Sequence, residues 1–366
     1  MDAKQVTAKK TGLQGFFRRL KTGAVAKIPL LGDVQSLCPI GIDVSGEMLR
    51  LVQLSKKGPI KSHTRKGAFG SPGMNLVAGR YAVKSPEIIN NSILWQRWAI
   101  KEISKMINAH NFRGREVVAT IPASDVFIGH IKLDEDSFTS INNIKVPPWR
   151  NDAKIKDWVL AKMAEKLPFD TNEAVIRYIP AEQHVYVVIA TQMAVVDRHL
   201  AIYEMANLQL KTIATWPAAL IEVYTSFFGT RKTDRDTIVM LMDMESNCTN
   251  IVICRHNNLL FARSIPLGAS SLRSDNGIAK LVLELGACIR QFKSLYKEVI
   301  VERLIFLSGS FVNAETYTAI AKQLKLPAQM ADCSKAVDNA ECLCSETEQR
   351  ETRCGWTGAF GLSLMS

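Results

Sequence analysis

Two stretches of this chain repeat one design 200 residues apart, and that repetition constrains the fold more than any other feature. They are Pro39-Ile-Gly-Ile-Asp43-Val-Ser-Gly-Glu-Met-Leu-Arg50-Leu-Val52 and Val239-Met-Leu-Met-Asp243-Met-Glu-Ser-Asn-Cys-Thr249-Asn-Ile-Val252. In each, an apolar run ends at an aspartate, a few small or polar residues follow, and a second apolar run begins. This is the pattern of a β-hairpin with a carboxylate at its bend. Asp43 and Asp243 keep the same offset as Val52 and Val252, as a duplicated lobe would produce. A hairpin pair that presents acids beside backbone amides suits a metal-bound polyphosphate, because turn N–H groups bind phosphate oxygens while the carboxylate orders the cation's waters. Taken singly, either stretch reads equally well as an ordinary hairpin with an acidic turn.

Between and around the hairpins the pattern divides the chain. Residues 1–37 form a basic, glycine-punctuated tail carrying one short amphipathic segment. There Thr11 and Gln14 have capping-box spacing, and Leu13, Phe16, Phe17 and Leu20 share a face. A helix of about 11 residues is marginal alone in water. It needs a surface, either an anionic bilayer with Phe16, Phe17, Arg18 and Arg19 as the contact, or the protein's own body. Residues 38–122 read as strand, hairpin, strand, a helix bearing Ile93, Trp95, Ile103 and Ile107, and the strand Val117–Ile121, the first part of a lobe. Residues 123–210 change texture: a strand, a helix with Ile155, Val159 and Met163 broken at Pro168, two strands and a further helix. We read these as an inserted α+β domain. Residues 211–235 bring a return helix to the first lobe, 236–345 form the second lobe, and 346–366 close with a helix expected to pack back on the first.

Composition narrows the function classes. At 366 residues, 47% hydrophobic and 22% charged, the chain is globular and long enough for several cores. No apolar run approaches the roughly 18 residues that span a bilayer, so a cytoplasmic protein is expected. Reduced cysteines agree: Cys38, Cys248, Cys254 and Cys288 lie in or beside apolar runs. Cys333, Cys342, Cys344 and Cys354 share one polar segment without a paired CxxC, so surface thiols are expected there and no structural metal. A formal charge of +11 favours anionic partners, but the basic residues are dispersed and no nucleic-acid-binding spacing occurs, which argues against nucleic acid. No Walker loop, nucleophile elbow or dinucleotide fingerprint is present.

The order of parts, a hairpin at Asp43, an insertion, a hairpin at Asp243 and a strand ending in Leu307-Ser-Gly309, resembles the actin-like ATPase superfamily, with its duplicated ribonuclease H-like lobes. Within it the chain is most similar to the PilM branch, which is related to FtsA. The closest match is Met163-Ala-Glu-Lys-Leu167-Pro168-Phe169-Asp-Thr-Asn-Glu-Ala-Val-Ile-Arg-Tyr178 in the insertion. Ile40–Leu54, Arg115–Pro122, Val188–Leu210, Ala262–Gly268 and Gly361-Leu362 also fit. The resemblance implies an α/β actin-like fold and a nucleotide cleft formed by Asp43, Ser45, Gly46, Arg50, Asp243, Ser246, Thr249, Ser308 and Gly309. It further implies a cytoplasmic scaffold of a type IV pilus or related secretion machine, peripheral to the inner membrane. Such a scaffold grips the short cytoplasmic tail of an inner-membrane partner through the neighbourhood of Leu167, Pro168, Phe169 and Tyr178.

The departures from that pattern bear on the cleft. Ser45 and Glu245 stand where the family places glycines, Gly46 is shifted by one, Arg50 replaces a lysine, and Phe311 interrupts a glycine run. A carboxylate near a triphosphate adds like-charge repulsion. ATP with Mg2+ therefore stays an open question, and a degenerate cleft without catalytic residues is the expectation. The alternatives are an ATP-hydrolysing switch of the same machine using Asp43, Asp243 and Thr249, and a self-associating, membrane-tethered filament of the FtsA kind.

Overall fold

The computed structural model describes residues 36–45, 47–56, 73–89, 91–133, 140–141, 144–145, 152–274, 276–307, 312–343 and 355–365. The tail contact Phe16, Phe17, Arg18 and Arg19, the cleft residues Gly46, Ser308 and Gly309, and Phe311, Cys344 and Cys354 lie outside the described residues. So does the side chain of Ser45.

Two five-stranded sheets share one plan. In the first, β1 (Ser36–Ser45), β2 (Met48–Lys56) and β3 (Met74–Val83) form an antiparallel meander. On the other side of β1, β4 (Glu116–Thr120) pairs parallel, and β10 (Gln209–Ala214) pairs parallel beyond it. In the second, β11 (Ile238–Met244), β12 (Thr249–Arg255) and β13 (Asn258–Ile265) form the meander. There β14 (Arg303–Phe306) and β15 (Ala328–Met330) complete the parallel side. The duplicated hairpins are thus the first two strands of duplicated sheets. Ile40, Ile42 and Val44, like Met240 and Met242, are fully buried because both faces of these central strands are covered.

The lobes differ in what joins their fourth and fifth strands. In the second lobe one helix, Ala314–Leu324, makes the crossover. In the first, the crossover holds a three-stranded sheet of β5 (Phe127–Lys132), β8 (Ala174–Pro180) and β9 (Val185–Gln192), ordered β5-β9-β8. It also holds the two-residue strands β6 (Ser140–Ile141) and β7 (Ile144–Lys145) and the helices Asp152–Ala164 and Met193–Met205. One face of the β5-β9-β8 sheet packs with Ile155, Val159 and Met163 of the first of these helices.

Two sequence expectations change here. The return helix expected after the insertion is present as Trp216–Val223, but the insertion itself was expected to run to residue 210. Instead Gln209–Ala214 is a strand of the first sheet, and Ile202 and Tyr203 of the helix before it pack with Trp95 and Ile103 of the first-lobe helix Ser92–Ala109. The strand was missed because it is short, lies at the sheet edge and breaks the apolar–polar alternation at Lys211-Thr212. Cys333 is not a surface thiol: it is buried with Val337 and Leu343, in a short 3-10 turn, Cys333–Ala336, that its polar neighbours mask in the sequence.

The second lobe is held by the helix Gly277–Leu295, whose Leu281, Leu285, Cys288 and Phe292 form a fully buried stripe against β11–β13. Burial of each Leu or Phe contributes about 1.5–3 kcal/mol. A closing helix, Thr357–Leu364, lies against β1, β2 and the helix Trp216–Val223. Its contact is close enough to require glycine: a Cβ on Gly41 would meet the Ala359 carbonyl, and one on Gly361 that of Ala219. Ser363 donates to the Pro39 carbonyl at 2.8 Å and accepts from Leu54 N at 3.0 Å, sealing the helix to the first hairpin.

Candidate functional site

The duplicated hairpins deliver their aspartates to one cleft. Register places Asp43 directly opposite Arg50, and Asp243 opposite Asn250, so the two acids occupy equivalent positions with unlike partners. Arg50 donates through Nη1 to Asp43 Oδ2 at 3.2 Å, and both side chains are buried. Asn250 donates through Nδ2 to Glu245 Oε1 at 3.3 Å instead. No equivalent of the first ion pair therefore forms within the second hairpin.

The electrostatics follow from this asymmetry. Burial pushes Asp243 up to about 6, with Asp43 adding repulsion, while Arg50 across the cleft and the Thr357 hydroxyl pull it back. Lys84, which follows β3, is buried; burial lowers it to about 8 against the attraction of Asp43, Glu245 and Asp125, while Arg50 adds to the lowering. The Lys84 ammonium also sits 5.8 Å from the centre of the Trp95 ring. The cleft thus holds three carboxylates and two cations supplied by the protein itself.

The hairpin tips are bridged to each other. Asn247 Nδ2, at the tip of the second hairpin, donates to Glu47 Oε1, at the tip of the first, at 2.7 Å. These residues are themselves 200 positions apart, so equivalent points of the two repeats touch. From the side, Gly358 in the first turn of the closing helix abuts Asp43; a Cβ there would lie 2.7 Å from Oδ2. Thr357 donates to the Leu307 carbonyl of the second lobe at 3.0 Å. The remaining cavity is about 350 Å3 including its opening, and Asp43, Asp243, Glu245, Asn250, Trp216 and Gly358 are among its walls. Most of that space is open solvent, and the enclosed part has room for about one water molecule. Asn250 Oδ1 and Trp216 Nε1 are buried there without a hydrogen-bond partner among the described residues.

Of the nucleotide residues expected from sequence, Asp43, Arg50 and Asp243 converge on this cleft. Thr249 and Ser246 are engaged within their own lobe. Thr249 Oγ1 donates to the Leu267 carbonyl at 2.6 Å, and Ser246 Oγ lies 3.0 Å from Ser270 Oγ. Glu245 N donates to the Cys248 carbonyl and Ala269 N to the Glu245 carbonyl, so this bend is packed on the Leu267–Gly268 turn. A Cβ at Gly268 would lie 2.5 Å from Glu245 O.

The residues expected to hold a partner stand apart from the cleft, in the inserted domain. Leu167 and Tyr178 pack on one cluster, with Tyr178 edge-on to Tyr186 at 6.1 Å. Pro168 is exposed and Phe169 half-buried beside it. Sequence reading missed Lys84, Trp216 and the Glu47–Asn247 pair. Only the last carried a signal, since aligning the two repeats sets Glu47 opposite Asn247. Among the described residues no group of three acidic, histidine or cysteine side chains is placed to hold a metal ion. Among them, too, no helix is long and apolar enough to cross a membrane.

No family model and no curated protein matches the sequence. Solved structures do match. A chain of the PilM-PilN type IV pilus biogenesis complex superposes with a TM-score of 0.65 at 17% identity, covering 91% of this chain and 98% of that one. Looser likenesses include the cytoplasmic domain of EpsL, an inner-membrane component of the type II secretion system of Vibrio cholerae. That match has a TM-score of 0.42 and 8% identity, covering 78% of this chain and 94% of that one. Another is the ethanolamine utilization protein EutJ from Carboxydothermus hydrogenoformans, with a TM-score of 0.45 and 9% identity, covering 92% of each chain. The match to the PilM-PilN chain establishes the fold. It is the actin-like ATPase architecture of duplicated α/β lobes, here carrying an inserted α+β unit.

Proposed function

We propose that this chain is a PilM-like cytoplasmic scaffold of a type IV pilus or related secretion assembly. In this reading it sits at the inner membrane by gripping the short cytoplasmic tail of a membrane partner. The observation that carries the reading is the internally ion-paired, tip-bridged cleft within a fold shared with a chain of the PilM-PilN complex. A nucleotide triphosphate entering between the hairpins has to separate Glu47 from Asn247, face Glu245, and displace Arg50 from Asp43. The first and last steps break contacts the protein already makes, the second adds like-charge repulsion, and breaking a buried ion pair is strongly unfavourable. Structure, not turnover, is then what the fold contributes. Partner binding falls to the insertion, where Leu167 and Tyr178 stiffen an apolar patch and Phe169 is left half-buried at its edge.

Should the cleft accept Mg2+ and ATP, Asp43 and Asp243 would orient the cation's waters and Arg50 would face the phosphates. The buried, unpartnered Asn250 Oδ1 and Trp216 Nε1 favour this second reading. An affinity experiment on detergent-solubilised inner membranes tests the first. Wild-type protein is expected to retain a membrane protein with a short cytoplasmic tail, and Phe169→Glu to lose it. Identical retention by both would refute the assignment of the insertion as the gripping surface.

A further inference from the structure

The inserted domain leaves β4 and returns to β10, so by chain connection it belongs to the first lobe. Its sheet, however, is bonded to the second. His130 on β5 stacks on Phe261 of β13 with ring centres 4.3 Å apart and planes 9° from parallel, and its Nε2 accepts from Ala262 N at 3.2 Å. Lys132 Nζ donates to the carbonyl of Leu295, the last residue of the long second-lobe helix, at 2.7 Å. In the turn between β8 and β9, Glu182 pairs with Arg255 at 3.2 Å and accepts from Asn258 Nδ2 at 3.2 Å. The neighbouring Val185 is fully buried in the second-lobe core.

The most specific contact is made by Gln183. Its Nε2 donates to the Lys297 carbonyl at 3.0 Å while its Oε1 accepts from Lys297 N at 2.9 Å, so one side-chain amide pairs with a backbone residue as a neighbouring strand would. Both sides of this contact are strained: Gln183 and His184 have φ of 52° and 60°, and Glu298 has φ of 61°. A non-glycine residue is held in this region only against steric strain, and such outliers concentrate where geometry serves function. A surface hairpin without that purpose would accommodate glycine or asparagine in the same turn.

We propose that the β5-β9-β8 sheet of the inserted domain moves with the second lobe as one mechanical body, while the helix Met193–Met205 stays packed on the first. The β8–β9 turn is then a built-in coupler that carries events on the insertion's outer face to the interlobe cleft. The outer face, with Tyr178 and Leu167, packs on the helix Asp152–Ala164. The inner face, with Val187 and Ile189, lies in the core shared with Leu241, Val252 and Trp216, the last of which lines the cleft. A ligand that tilts the insertion therefore pulls the second hairpin relative to the first, across the Glu47–Asn247 bridge. The purpose assigned to the coupler rests on partner binding at the insertion; the coupling does not.

Hydrogen–deuterium exchange of the full chain, with no partner or nucleotide present, tests it. Gln183→Asn keeps a residue suited to the left-handed turn but shortens the side chain beyond reach of Lys297. Lys132→Met removes the second tie and serves alone should the first variant fold poorly. Either is expected to raise exchange about fivefold at 295–300 and, at a distance, in the hairpin bends 43–50 and 243–249. Acceleration confined to 181–186 and 295–300 would overturn the coupling and leave ordinary local glue. Because partner capture is read separately with Phe169→Glu, either conclusion can fail alone.

Discussion

The first and second hairpins have the same strands, the same register and the same topological place, yet they handle their aspartates in opposite ways. Asp43 is matched within its own hairpin by Arg50, whereas Asp243 faces Asn250 and depends on Arg50 from the other lobe. Duplication fixes geometry, and the residue opposite the acid decides the chemistry. One arginine serves two buried carboxylates, so the interface between the lobes is part of the charge balance of each. The same asymmetry appears in the crossovers: a single helix in the second lobe, a whole domain in the first.

The comparison breaks most visibly at Arg50. Arg50→Met leaves Asp43 and Asp243 buried without their shared cation and should lower stability by about 3–5 kcal/mol, measured by calorimetry near neutral pH. Asn250→Leu, at the equivalent position, removes no charge and should cost clearly less.

Next come the acids themselves, where opposite signs are expected. Asp243 has a folded pKa raised from 3.8 to about 6. Its ionisation therefore favours the unfolded chain: stability is fully present below pH 3.8 and is lost as pH rises to about 6. Asp243→Asn should accordingly stabilise the protein by roughly 1–3 kcal/mol at pH 7–8, a gain that disappears below about pH 4. Asp43→Asn should instead destabilise at the same pH, by about 1–3 kcal/mol, because Arg50 is left with Asp243 alone. Equal signs for the two substitutions would dissolve the contrast.

His130 sharpens the part played by the insertion. Burial, with Lys166 and Arg263 nearby, holds it down at about 4, below its ordinary 6.5. The unfolded chain thus binds a proton that the folded one refuses, and stability present above pH 6.5 is lost as pH falls toward 4. His130→Phe, which keeps a ring to stack on Phe261, should flatten that part of the pH–stability curve, followed by thermal melting. The smallest effect belongs to the bridge at the tips: Glu47→Ala or Asn247→Ala removes one exposed hydrogen bond and should cost about 0.5–1 kcal/mol.

Much of this architecture was legible before any coordinates. The spacing of Asp43 and Asp243, and the apolar runs around them, are local patterns that survive in sequence. Their convergence is a property of duplication that the equal offset exposes. What was hidden depends on long-range packing. Gln209–Ala214 carries too weak an alternation to declare itself a strand, and Lys84 follows a strand with nothing to mark it as a buried cation facing another lobe. Trp216 is an apolar residue at a helix start until the fold turns it into a cleft wall. Glu245, read from sequence as a repulsive intruder, is held by Asn250 in a bend packed on Gly268. Its backbone serves the hairpin while its charge is offset by Lys84.

The central claim is that the protein's own charges and tip contacts occupy the place between the hairpins. Thermal denaturation of the full chain with and without 1 mM ATP and Mg2+ tests it most directly. A ligand at about 100 times its Kd would add roughly 2.7 kcal/mol and raise the melting temperature by several degrees. The account predicts no shift for wild type; a shift of that size that disappears in Asp243→Ala would contradict it and make the cleft a working nucleotide site.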